Sequence, residues 1–309
     1  MNPTFAAARS HPPLPLMHNE QVLQEVRDQS FLTGAFTREA LKFIHDNRNR
    51  PFLLYLPHSM IHVPLAAGED FRGKSGNGLL GDAVAEVDWS VGRILDTLNE
   101  LNLAANTLTL FTSDNGAASG VATPLRGKKG STFEGGLREP AIAWWPGTIA
   151  AGSESGEIVT TMDLLPTFAA LAGTTAPKDR AIDGLDVMPV LKGGKSPRKA
   201  FYYYQGTILR GVRAGDWKLL ATGELYNLRT DIAEKVNVAD SNPAVVRRLE
   251  GHLAEARTDL GDGPEHPGAG CRPVGKAKGP VRFLIPRPGL TGEAAHSPVS
   301  RAGAKLQER

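Results

Sequence analysis

LGDAVAEVDWSVGRILDTLNEL, residues 80–101, and TLTLFTSDNG, residues 107–116, carry the patterns that decide the fold of this 309-residue chain. In the first stretch Leu80, Val84, Val87, Val91, Leu95, Leu98 and Leu101 recur at steps of three and four, with Asp, Glu and Arg between them. That spacing predicts one apolar face of a long helix. In the second, Thr107–Thr112 reads as a strand that runs directly into Ser-Asp-Asn-Gly. Upstream, Pro51-Phe-Leu-Leu-Tyr-Leu-Pro57 is a short apolar run bounded by prolines and reads as a buried strand. Strand, helix and strand in that order predict a βαβ unit with its two strands parallel.

Outward from this unit, residues 37–47 read as a helix opening at Thr37, with Leu41, Phe43 and Ile44 as its apolar face. Residues 141–146 (AIAWWP) suit a third buried strand, and residues 161–172 a helix with Pro166 near its first turn, closed by Gly173. The runs AFYYYQ, ILRGVRAG, WKLLAT and ELYNL within 200–228 predict an antiparallel meander, and 243–258 one more amphipathic helix. The expected organisation is an α/β part over 1–195, opening on a Pro-rich extended arm (1–16). A small α+β part follows over 196–262, then a Pro/Gly-rich basic tail over 263–309. Residues 57–79 lack a clear element, and a loop that long in a compact domain is functional or disordered.

Composition narrows the function classes. With 22% charged and 41% hydrophobic residues, wholesale disorder, a coiled coil and a collagen-like chain are excluded. No run of 18 apolar residues exists, so no membrane-spanning helix is expected. A formal net charge of +2 predicts neither a nucleic-acid nor a membrane partner. The charge is uneven: residues 266–309 hold 8 Lys/Arg against 2 Asp/Glu, which leaves the preceding residues at −4. Six Pro and seven Gly in the same 44 residues predict an irregular, solvated segment. Cys271 is the only cysteine, which rules out an intramolecular disulfide framework. The first residues, MNPTFAAARSHPPLP, lack the apolar core of a signal peptide. Compartment and oligomeric state are not legible.

Several motifs carry chemistry, each beside a plainer reading. Gly68-Glu-Asp-Phe-Arg-Gly-Lys-Ser75 matches the phosphate-loop pattern, but Gly-Asn-Gly follows where a helix should open, and no strand precedes it. His58 and His62 stand four apart as in zinc peptidases, without the glutamate and bracketed by Pro57 and Pro64. What remains is a histidine at a strand's carboxyl end, where ligands of α/β sheets collect, or an exposed loop histidine. Asp114-Asn115-Gly116 offers two hard oxygen donors suited to Ca²⁺ or Mg²⁺, and is equally a turn signature. Arg126-Gly-Lys-Lys-Gly130 is a basic, Gly-rich loop able to clamp an anion, or a solvated one. Downstream, Glu134 and Arg138 are spaced to pair with each other.

His62, Asp114-Asn115 and Lys129, in this order, make the chain resemble the sulfatase family, specifically its arylsulfatase A-like group. The blocks PFLLYLPHSMIHVPL, LLGDAVAEVDWSVGRIL, TLTLFTSDNGA, LRGKKGSTFEGGLREPAIAWWPG and TMDLLPTFAALAG carry the similarity, from about Pro13 to about Gly275. The resemblance implies an alkaline-phosphatase-like α/β fold, a mostly parallel sheet with flanking helices, plus a small C-terminal α+β subdomain. The implied activity is metal-assisted hydrolysis of sulfate monoesters on a small molecule, glycan or lipid. It implies Asp114 and Asn115 as metal ligands for Ca²⁺ or Mg²⁺, Lys129 as the sulfate-binding lysine, and His62 as the histidine that hydrogen-bonds the sulfate or assists the leaving oxygen. Lys128 exchanges with Lys129 under a one-residue shift, and Arg126 lies in the same substrate-binding loop. Family members are often exported or lysosomal.

The family's formylglycine cysteine with its arginine, its paired Asp ligands and a further Lys and His have no counterpart in these residues. Cys271-Arg-Pro-Val-Gly275 has glycine where the C-x-P-x-R motif needs arginine. The sequence therefore reads as the C-terminal portion of a sulfatase, its nucleophile missing, inactive by itself, with an exposed sheet edge. Beside this stand a phosphatase or phosphodiesterase of the same superfamily, and a non-catalytic remnant that binds anions or a partner.

Overall fold

The computed structural model describes residues 14–118 and 120–270, so Cys271 and most of the expected tail lie outside the described residues. In the first unit, residues 14–104, the strands β1 (Leu14–His18) and β2 (Gln21–Val26) form an antiparallel hairpin. Residues 14–16, expected in the extended arm, belong to it. The helices α1 (Leu32–Asn47) and α2 (Gly78–Glu100) follow. Leu32, Ala40 and Ile44 of α1 and Ala83 and Leu98 of α2 are buried.

The fully buried positions of α2 coincide with the predicted apolar stripe only at Leu98. Val84 is 46% exposed, whereas Asp82, Glu86, Ser90 and Thr97 are enclosed. The reason lies in the preceding loop. Asp82 accepts the backbone N–H groups of Gly73 (2.8 Å) and Ser75 (3.0 Å), and Glu86 accepts that of Gly68 (2.7 Å). Two carboxylates thus order the long segment between residue 57 and α2. They also occupy the amides that a phosphate loop would turn toward its ligand, which disposes of that reading.

Residues 51–57 correct a second expectation. They belong to no strand, although exposure alternates along them. Phe52 packs edge-on against Phe43 at 5.8 Å, while Leu53 is 69% and Tyr55 83% exposed. A strand needs a neighbour to complete its ladder. None of the three small sheets among the described residues includes this run.

In the second unit, residues 105–270, β3 (Thr109–Thr112) pairs antiparallel with β4 (Ala141–Trp144). Every pairing among the described residues is antiparallel, so the βαβ unit expected from 51–57 and 107–112 is not formed among them, while the unit mixes helices and small sheets as an α/β chain. The unit continues with the short helices α3 (Glu134–Leu137), α4 (Leu164–Leu171) and α5 (Met188–Leu191). The expected meander is present in full as β5 (Phe201–Gln205), β6 (Ile208–Ala214), β7 (Trp217–Leu220) and β8 (Leu225–Asn227), in sequential order. Helix α6 (Pro243–Asp259) closes one face, with Leu249, Leu253 and Ala256 against Leu209, Val212, Leu219 and Leu225.

Residues 105–195 and 196–262 share this unit, so the change of pattern at residue 195 is not a boundary between compact units. Residues 263–270, expected in the tail, are tied back by Gly263 N–H to Thr207 O (2.8 Å) and Ala269 N–H to Thr258 O (2.7 Å).

Since Leu53 and Tyr55 make little packed contact, replacing both with Lys is expected to change unfolding free energy by about 0.5 kcal/mol or less. Light scattering should show less self-association, because an unpaired apolar run invites edge-to-edge contact. Loss of cooperative unfolding in the double variant would contradict this assignment.

Candidate functional site

The site is built where three backbone segments touch. Strand β3 delivers the chain to Asp114-Asn115-Gly116, and the loop 126–130 returns beside it. Gly116 N–H donates to Gly136 O (3.2 Å), Lys129 N–H to Ala117 O (2.9 Å) and Gly135 N–H to Arg126 O (2.7 Å). Glycine makes the approach feasible. A Cβ on residue 116 would lie 2.3 Å from Gly135 O. One on residue 135 would lie 2.6 Å from Gly127 O, and one on residue 136 would lie 2.5 Å from Lys128 O. The Asp-Asn-Gly turn, the Gly-Lys-Lys-Gly loop and the Glu-Gly-Gly of α3 are therefore one backbone junction.

Around that junction Asp114, Lys128 and Lys129 are exposed and Asn115 is partly buried. Among the described residues none of the three charged side chains forms an ion pair. Nearby, the Glu139 carboxyl is held above the usual range, by burial first and by the negative charge of Asp114 as well. Arg126 is engaged differently. Its guanidinium stacks on Phe133, 3.8 Å from the ring centroid, and donates to Glu234 O at 2.8 Å. All three cations of the loop are exposed, and Lys128 and Lys129 are the two whose side chains are not tied to Phe133 and Glu234.

Behind the loop sits a buried charge cluster. Glu134, fully enclosed at the start of α3, pairs with Arg138 (2.6 Å), Lys218 (3.0 Å) and Arg213 (3.3 Å), and accepts the Tyr203 hydroxyl (2.7 Å). Burial alone would push its carboxyl up. The Lys218 ammonium, the Tyr203 hydroxyl and the Arg138 guanidinium outweigh burial and hold it at about 2. Burial and the Glu134 charge push the Tyr203 phenol well above its ordinary value, so it remains a donor. The spacing of Glu134 and Arg138 revealed their pairing. Lys218 and Glu234, fully buried and far away in sequence, left no such signal.

His62 belongs to the first unit and lies exposed in the loop after residue 57. Its Nδ1 is 2.7 Å from Val63 O; the carbonyl can only accept, so Nδ1 carries the proton. His58 points inward instead. Its Nε2 is 3.2 Å from Ser90 Oγ, its buried Nδ1 has no hydrogen-bond partner among the described residues, and burial lowers its pKa.

The donor chemistry of Asp114 and Asn115 suits a hard divalent cation, but two residues do not complete a sphere of six to eight oxygens. Among the described residues no group of three or more His, Cys, Asp or Glu could hold a metal ion.

Comparison with known proteins gives a consistent picture. A family model described as Sulfatase matches residues 8–174, and one described as N-sulphoglucosamine sulphohydrolase, C-terminal, matches residues 128–259. N-acetylgalactosamine-6-sulfatase of Mus musculus is 41% identical over 243 residues, 74% of this chain and 45% of that protein. Steryl-sulfatase of Homo sapiens is 42% identical over 211 residues, 64% of this chain and 36% of that protein. The chain thus spans less than half the length of these two relatives. Among solved structures, Ps i-CgsB in complex with k-i-k-neocarrahexaose matches with TM-score 0.67 and 30% identity, over 82% of this chain and 62% of that one. The PsFucS1 sulfatase from Pseudoalteromonas sp. matches with TM-score 0.67 and 27% identity, over 74% of this chain and 53% of that one.

Two outcomes follow from the geometry. Gly136→Ala should destabilise the chain by roughly 1–3 kcal/mol through overpacking, read from chemical denaturation; an unchanged midpoint would contradict the junction. For His58 the folded pKa lies below the unfolded one, so its contribution is complete above the usual histidine value and is lost on acidification. Between pH 7.5 and 5 the unfolding free energy of the wild type should fall more steeply than that of His58→Asn, because the unfolded imidazole takes up a proton the native one refuses. Parallel pH profiles would contradict a buried neutral His58.

Proposed function

Because the chain belongs to the sulfatase family, whose α/β fold it shares with solved sulfatases, we propose that it forms the anion-binding part of a sulfuric ester hydrolase acting on sulfate monoesters. The observation that carries this reading is the 2.9 Å bond from Lys129 N–H to Ala117 O, which tethers the lysine loop to the Asp114-Asn115 turn. A sulfate monoester is tetrahedral and anionic, and its cleavage leaves negative charge on the departing oxygen. Charge neutralisation aimed at those oxygens is the strongest help such a site can give the reaction.

In this reading Lys129, with Lys128 beside it, binds the sulfate oxygens. Asp114 and Asn115 supply two of the oxygen donors of a Ca²⁺ or Mg²⁺ site; a bound cation would add positive charge next to the sulfate. Arg126, exposed in the same loop, supports it through Phe133 and Glu234 O and lies beside the substrate-binding lysines. For His62 to assist the leaving oxygen, Nε2 must carry a proton as well, because Nδ1 already donates to Val63 O; the acting form is the imidazolium. The related proteins are named for a sulfated sugar and a sulfated sterol at near-equal identity, so the substrate class is the sulfate monoester of a glycan or lipid. These 309 residues contain no C-x-P-x-R sequence, so the formylglycine nucleophile of the family is not supplied by them.

The test is titration of the purified 309-residue polypeptide with inorganic sulfate, followed by an aryl sulfate turnover assay. Sulfate should bind, Lys129→Ala should weaken it by about tenfold, the effect of losing one charge-assisted contact, and no turnover should occur. Unchanged sulfate affinity in Lys129→Ala, or measurable turnover, would contradict the proposal.

A further inference from the structure

Lys218, on strand β7, and Glu234, in the loop after β8, are buried ions beside a four-stranded sheet whose core is apolar. Nothing in the packing of β5–β8 against α6 calls for them, since that interface consists of Leu209, Val212, Leu219, Leu225, Leu249, Leu253 and Ala256. Taking two charges out of water is costly, and well-packed apolar replacements are often as stable or more so. Their contacts indicate what they serve instead.

The Lys218 ammonium has three close oxygen neighbours, two reached by hydrogen bonds and the third, on Glu234, by an ion pair without hydrogen-bond alignment. These are Thr132 O at 2.7 Å, Glu134 Oε1 at 3.0 Å and Glu234 Oε1 at 2.7 Å. Glu234 accepts the Glu134 backbone N–H on its other oxygen at 2.8 Å. Its main-chain carbonyl accepts Arg126 at 2.8 Å. It sits at φ 52, in the left-handed region that disfavours a non-glycine residue. Two residues of the meander region thus hold the segment 126–134 at both ends: at Arg126 on entry, and at Thr132 and Glu134 on exit. The lysines in question, 128 and 129, lie between the two grips.

We propose that Lys218 and Glu234 are positioning residues that fix the Arg126–Glu134 loop, and so the placement of Lys128 and Lys129 beside Asp114-Asn115. The use of this placement for sulfate rests on the function proposed above. Neither residue touches the ligand. Glu234 sets the height of the loop through the Glu134 amide, and Lys218 joins Glu234, Glu134 and Thr132 into one rigid support. The role is distinct from stability of the meander, and the difference is measurable.

The experiment is residue-resolved amide hydrogen exchange on the 309-residue chain, with Glu234→Ala and Glu234→Gln beside the wild type. Glutamine keeps an acceptor for the Glu134 amide but turns an NH2 donor instead of an oxygen toward the Lys218 ammonium, so it removes the Lys218 contact while leaving the amide contact, and it is the reading variant if alanine does not fold. In Glu234→Ala the amides of Lys129 and Gly116 should exchange at least tenfold faster, with α6 amides unchanged. In Glu234→Gln the acceleration should be smaller but still confined to the loop. Equal acceleration in α6 and the loop would reveal a merely structural residue, and unchanged loop exchange in the folded variants would remove the role; either result overturns the proposal. Parallel titration with inorganic sulfate separates the two readings. If the wild type binds no sulfate, the assignment of Lys129 as an anion ligand fails, while exchange still decides whether Lys218 and Glu234 hold the loop.

Discussion

Contact between main chains at Gly116, Gly135 and Gly136 is the constraint on which the site depends. Side chains cannot reach this geometry by repacking, because the atoms that would collide are carbonyl oxygens and carbons fixed in other turns. Once three glycines permit the approach, backbone hydrogen bonds fix the register between the end of β3 and the lysine loop. The exposed charges then inherit their placement from the backbone, which costs less entropy than holding long side chains in place through their own contacts.

Electrostatics adds a second layer on the opposite side of the same loop. Outside, among the described residues, stand a carboxylate and two ammonium groups without ion-pair partners; inside, Glu134 is saturated by Lys218, Arg138, Arg213 and Tyr203. Glu134 titrates near 2 because its partners overcome a burial penalty that acts in the other direction. Its stabilising contribution is therefore complete above the ordinary glutamate range and disappears only as the pH falls toward that value. The same residue type thus serves opposite ends across a few residues. Glu134 is locked as an anion within the fold, while Glu139 is held toward its protonated form by burial and by Asp114.

The sequence made the helices and the meander legible because periodicity is a local property. Helix α2, helix α6 and strands β5–β8 follow their spacing to within a few residues. Pairing was less legible. A run such as Pro51–Pro57 records that its residues are apolar, not which strand lies beside it, and β3 meets β4 rather than a parallel neighbour. The apolar stripe of α2 misled because its buried face is used by Asp82 and Glu86 to bind loop amides, a demand that arises only in three dimensions. At the site, Asp114, Asn115, Lys128 and Lys129 could be picked out because each sits in a turn signature or Gly-rich loop. Lys218 and Glu234 could not, since 84 and 100 residues separate them from Glu134.

Family membership and the junction geometry point the same way: an Asp-Asn pair and a Lys-Lys pair held side by side by main-chain contacts. Paramagnetic relaxation with Mn²⁺, an oxygen-seeking ion, measures that adjacency most directly. Mn²⁺ bound at Asp114 and Asn115 should selectively broaden the amide signals of Lys128 and Lys129, leave those of helix α6 sharp, and lose the effect in Asp114→Ala. Uniform broadening, or broadening that survives Asp114→Ala, would contradict the account.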